Sequence, residues 1–161
     1  MHAAPTATWL AALPLLCAGC TADRAPDEAP FEVQGDYLLA YLEDHFSEGG
    51  SDRIYVTVDT AQQIAIGPAH WDDPDPHGTT TLPLEPAEIE ALTEAIEAVD
   101  VPALSGASLG SGTAGADRYH LDLTVAQGGP YHVEWDADSD VPAALWDLQG
   151  MLSDMATWFL G

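Results

Sequence analysis

The chain has 161 residues, 27 of them acidic, against three arginines and no lysine, for a formal charge of −24. That balance argues strongly against nucleic-acid binding and docking on anionic lipid head groups, both of which need clustered positive charge. Hydrophobic residues make up 47% of the chain, enough for one core, and the length suits a single domain.

The chain opens with an uncharged apolar run, Trp9 to Cys17, followed by Ala18, Gly19 and Cys20. The run is too short to span a bilayer, and its small-residue end fits a cleaved export signal. An ordinary secretory signal cut near Ala18 or Ala22 is the alternative. Cys20, preceded by the small residues Ala18 and Gly19, resembles the cysteine of the lipobox of bacterial lipoproteins, with Cys17 where that family usually has Leu. That resemblance implies cleavage before Cys20, lipidation of its thiol and a place on the bacterial cell envelope, at the outer membrane if the host has one. The expected organisation is a signal peptide over 1–19, lipidated Cys20 with a tether over 20–30, and an acidic domain over 31–161. The mature chain then has one cysteine, so core packing must hold it without a disulfide.

Residues 36–46 place Leu38, Leu39, Leu42 and Phe46 on one helical side, with Asp36 as N-cap, and predict a short helix. Ser47–Asp52 reads as a turn. Ile54, Val56 and Val58 alternate with Tyr55 and Thr57, which predicts a half-buried strand. Gln63–Ile66 and Thr79–Leu84 are further short strands. Between them Gly67–Gly78, with three prolines, is a loop. The clearest element is a helix opening at Pro86, with Ile89, Leu92, Ile96 and Val99 on one face and Pro102 ending it. Ser105–Ala116 is a Gly/Ser-rich flexible loop.

A hairpin follows. Tyr119, Leu121, Leu123 and Val125 alternate with polar residues, as do Tyr131, Val133 and Trp135. A three-residue loop, Gln127–Gly129, sets Val125 opposite Tyr131 and Leu123 opposite Val133, and keeps one face apolar. In that register His120 faces Asp136 and His132 faces Thr124, a surface pairing. A last helix over about 141–159, with Asp140 as N-cap, carries Leu145, Leu148, Leu152, Met155 and Phe159. The expected fold is α+β: a single small domain with an antiparallel sheet of about four strands, two main helices in ββαββα order, and the short N-terminal helix.

Candidate chemistry is sparse. Asp136, Asp138 and Asp140, with Asp147 at the twelfth position counted from Asp136, have the alternation of a calcium loop. Val141 stands where such a loop needs glycine, so a polar turn leading into a helix is the favoured alternative. His70, Asp72, Asp73, Asp75 and His77 offer donors to a transition metal, without a recognised ligand spacing. Trp71 in that loop is either tucked onto the core or offered to a partner. No nucleophile elbow, P-loop or dinucleotide fingerprint is present, so the expectation is a protein that is not an enzyme.

The pattern T-x-x-L-P-L-x-x-x-E-x-x-x-L at Thr79–Leu92, ADRYHLDLTV at Ala116–Val125, GGPYHVEWD at Gly128–Asp136 and VP-x-x-L at Val141–Leu145 resembles the emfourin-like proteins. These are small bacterial inhibitors of thermolysin-type metalloproteases. The resemblance covers about residues 53–158. It implies helices packed on a four-stranded antiparallel sheet and a loop that enters a secreted metalloprotease. Two expectations result: a lipid-anchored, non-catalytic binding module, inhibitor-like, with Trp71 as anchor; or an acidic surface lipoprotein that is structural or binds calcium.

Overall fold

The structure is a computed structural model that describes residues 30–47, 50–68, 80–107 and 109–160. Cys20, Trp71 and the His70–His77 donors lie outside the described residues.

The class is α+β. Six antiparallel strands form one sheet: β1 (Tyr37–Ser47), β2 (Gly50–Val58), β3 (Gln63–Pro68), β4 (Thr80–Pro83), β5 (Arg118–Val125) and β6 (Gly128–Asp136). Their spatial order is β4-β3-β2-β1-β5-β6. Helix α1 (Pro86–Val99) and the single turn α2 (Val101–Leu104) separate β4 from β5, and α3 (Ala143–Leu160) ends the described chain. No described helix is long and apolar enough to cross a membrane.

The main correction concerns residues 36–46. They form β1, a central strand paired on both sides, in place of the expected short helix. Tyr37, Leu39, Tyr41 and Glu43 are buried against the helices, and Leu38 and Phe46 point to the other face and are exposed. Both faces of the segment carry large apolar side chains. The period of two is therefore hidden in the sequence, and a helical stripe can be drawn through the same leucines. With β1 added, and with the two short segments at β3 and β4 both pairing into the same sheet, the sheet has six strands where about four were expected.

The hairpin register also differs. Leu123 lies opposite Tyr131, Leu121 opposite Val133 and Tyr119 opposite Trp135, two residues from the expected pairing. A shift of two keeps every side chain on its face, which is why the pattern of burial is the expected one. The difference arises at a two-residue turn, Ala126–Gln127, and an irregularity between Leu123 and Val125. Gly129 sits there with φ +114, and a Cβ on it would meet the Leu123 carbonyl oxygen at 2.8 Å. Only glycine suits that position.

Helix α1 begins as expected at Pro86, and the Glu85 N–H donates to Glu88 Oε2 at 2.7 Å. Leu92, Ile96 and Val99 are buried. Helix α3 starts at Ala143, so Asp140 lies ahead of its cap position. Leu145, Leu148, Leu152 and Ala156 are fully buried or nearly so. Trp135 stacks on Tyr119 with centroids 5.4 Å apart, and Trp146 of α3 meets the same tyrosine edge-on at 5.7 Å. This aromatic group packs the first turn of α3 against β5 and β6, and the helix runs on from there over β2 and β3.

Candidate functional site

Both helices lie on one face of the sheet. The other face is open to solvent where β1, β5 and β6 meet, and there the outward residues of the hairpin gather. The His132 backbone points away from β5: its N–H donates to Ser105 Oγ and its carbonyl accepts from the Gly106 N–H, both at 3.0 Å. Asp122 and His132 are therefore a non-hydrogen-bonded pair, and by alternation so are His120 and Glu134. In such pairs side chains approach closely.

The observed distances follow. His132 Nδ1 is 2.6 Å from Asp122 Oδ1. His132 Nε2 is 2.9 Å and His120 Nδ1 3.2 Å from the same Glu134 Oε1. The imidazole rings are 6.4 Å apart. Hydrogen bonds to Glu134 and then Asp122 outweigh partial burial and raise the His132 pKa. Bonding to His132 lowers that of Glu134. One flank of the cluster opens on a cleft of about 230 Å³ lined by Gly110, Gly112, Thr113, Arg118, His120 and Glu134. The guanidinium of Arg118 lies over the Phe46 ring, 5.7 Å from its centroid.

The four expected aspartates behave differently. Asp136 is buried and its carboxylate is occupied. Oδ2 accepts from Ser111 Oγ at 2.8 Å and from the Gly112 N–H at 3.2 Å, and Oδ1 from Ser139 Oγ at 2.8 Å and the Asp138 N–H at 3.1 Å. Burial opposes ionisation there, but the Ser111 and Ser139 hydroxyls and the amides prevail and hold the pKa down. Asp136 thus ties the middle of the Gly/Ser-rich loop to the end of β6. Asp138, Asp140 and Asp147 are exposed. Among the described residues, the group of three or more donors within 4.8 Å of one another is His120, His132 and Glu134, which contains none of these four.

A second polar cluster lies under α3. Glu43 is wholly buried. Its carboxylate accepts from the Tyr41 hydroxyl at 2.6 Å and from Gln149 Nε2 at 3.0 Å, and it lies 2.8 Å from His45 Nε2. His45 Nδ1 is 2.9 Å from Asp117 Oδ2, and Asp117 Oδ1 accepts from the Phe46 N–H at 2.9 Å. A carboxylate at each nitrogen favours the protonated ring of His45. Burial pulls its pKa down, but the bonds to Asp117 and Glu43 outweigh this and raise it. The pKa of Asp117 is correspondingly lowered, first by its bond to His45. Burial and Glu43 together push the Tyr41 hydroxyl up, so it remains a donor. This cluster joins β1, α3 and the start of β5. Sequence reasoning missed it because Glu43 and His45 fall in the segment read as a helix. The outer His cluster was missed through the two-residue register shift, which set His120 against Asp136.

No protein-family model matches the chain, and no curated protein matches it significantly.

Proposed function

We propose that the chain is a lipid-anchored, non-catalytic binding module of the bacterial cell envelope. Its partner class is the secreted metalloproteases that the emfourin-like resemblance implies. The observation that carries this reading is the one-sided sheet. No described helix lies across the face that holds Leu38 and Phe46, 47% and 42% exposed, beside Leu42 and Tyr55. Apolar side chains set among charged ones on a flat face suit a protein partner better than a small substrate. The buried carboxylates support a non-catalytic role, because Glu43 and Asp136 are spent on joining elements to one another.

The partner assignment is tested by titrating the purified full chain into a thermolysin-type protease assay. Inhibition that weakens in Leu38→Glu, or in Trp71→Ala, at unchanged melting temperature supports it; no inhibition at all sinks it. The anchor is tested separately. Cys20→Ser should abolish incorporation of labelled fatty acid in a bacterial host, and equal labelling of the variant would remove lipidation from the proposal.

A further inference from the structure

The structure assigns a divalent transition-metal site, suited first to zinc, to His120 Nδ1, His132 Nε2 and Glu134 Oε1 on the open face of the β5–β6 hairpin. The inference is independent of the partner proposed above.

Three observations carry it. The first is spacing. Zinc bound at about 2.0–2.2 Å by nitrogen and oxygen in a tetrahedron sets neighbouring donors about 3.2–3.6 Å apart. Glu134 Oε1 lies 3.2 Å from His120 Nδ1 and 2.9 Å from His132 Nε2, and all three donors lie within 4.8 Å of one another. A cation between them needs movements of only a few tenths of an ångström about the glutamate, and the two imidazoles draw together. The second is the support behind one ligand. Asp122 Oδ1 accepts from His132 Nδ1 at 2.6 Å. This is the carboxylate–histidine arrangement that fixes the tautomer, leaves Nε2 free for the metal and raises its basicity. The third is rigidity. All four residues stand on paired strands, and the His132 backbone is held from its outer side as well, by Ser105 and Gly106. A site built on strands keeps its geometry better than one on a loop.

The donor set decides the ion. Two imidazoles and a carboxylate suit zinc, copper(II) or nickel, whereas calcium takes oxygen ligands in larger number. The surrounding charge of −24 raises the local concentration of any cation. Three protein ligands leave a fourth position for water.

The test is a zinc titration of the purified full chain at pH 7.5 against a chromophoric chelator, with cobalt(II) absorption reporting the coordination. Wild type should bind one zinc ion with tetrahedral cobalt bands. His132→Ala and Glu134→Ala should each lower affinity at least tenfold, with the melting temperature of the metal-free protein little changed. Asp122→Asn should lower it about 10–100-fold although Asp122 touches no metal. Asp138→Ala should have no effect. Absence of zinc binding overturns the assignment. So does zinc held with undiminished affinity in His132→Ala, which would place the ion on His70, His77 or the acidic surface. A thermal response to calcium without one to zinc overturns it as well.

Discussion

Glu43 is the group whose removal should reveal most about what holds the domain together. Glu43→Ala would take away the acceptor shared by the Tyr41 hydroxyl at 2.6 Å, Gln149 at 3.0 Å and His45 at 2.8 Å. Tyr41 is 1% exposed, so its hydroxyl would lose the acceptor for its proton, at about 1–3 kcal/mol. Gln149 and His45 are only partly buried and can turn towards solvent, at smaller cost. The vacated carboxyl and methylenes add a packing loss. The sum is about 3–5 kcal/mol, the range for breaking a buried charged pair, out of the about 5–15 kcal/mol that holds a small domain folded. Glu43→Gln keeps the shape and loses the charge, and should cost about 1–2 kcal/mol. The pH dependence supplies an independent reading. His45 titrates near its ordinary value of about 6.5 in the unfolded chain and higher in the fold. Its contribution is complete below about pH 6.5 and is lost as pH rises through the folded-state value. Asp117, whose pKa is lowered, contributes above the ordinary carboxylate range and loses that contribution as pH falls through its own folded value. Urea unfolding of wild type should therefore show stability falling from pH 6 to 8.5. The decline should be shallower in His45→Gln, a comparison that removes the parallel effect of His132. A cost below about 1 kcal/mol for Glu43→Ala, or identical pH slopes for wild type and His45→Gln, would refute the account.

Other expectations concern packing and charge. Ala in place of Leu92, Ile96, Leu148 or Leu152, each at most 1% exposed, should cost about 2–5 kcal/mol in urea unfolding. Gly129→Ala should cost more than about 1 kcal/mol, because φ is +114 and the new Cβ would meet the Leu123 carbonyl oxygen at 2.8 Å and Thr124 Cα at 3.1 Å; an unchanged urea midpoint would contradict that. With 27 acids against three arginines, the melting temperature should rise with added sodium chloride as self-repulsion is screened, and a flat or falling curve would show the acids already paired.

The sequence is legible where one face of an element is apolar and the other polar. Helix α1 shows its stripe and its proline start, and β5 alternates without interruption, so both were placed nearly to the residue. β1 is illegible for the opposite reason. It is a central strand whose outward face carries Leu38, Leu42 and Phe46, and no polar alternation marks its period. The hairpin shows a different limit. Side-chain pattern fixes which face a residue takes, but a slip of two leaves faces intact and changes every neighbour. Turn geometry alone decides it, and here that depends on Gly129. The candidate metal cluster exists only in the true register, so a reading correct about faces still separated His120 from Glu134. Glu43 was invisible as a buried group because nothing in a sequence announces that a glutamate will be roofed by a helix.

The two margins of the sheet are finished by unlike means. β4 is four residues long, wholly exposed, and ends at Pro83, which gives an incoming strand little length and no amide at its close. β6 is longer, and at its midpoint the outward N–H and carbonyl of His132 are already taken by Ser105 and Gly106. An unsaturated strand edge is a template on which a second chain can add. Where two copies meet, lateral growth of one sheet into the next would begin at such an edge. The turn after α2 therefore occupies that edge at its midpoint, with two bonds to the His132 backbone that no inventory of charged side chains would disclose.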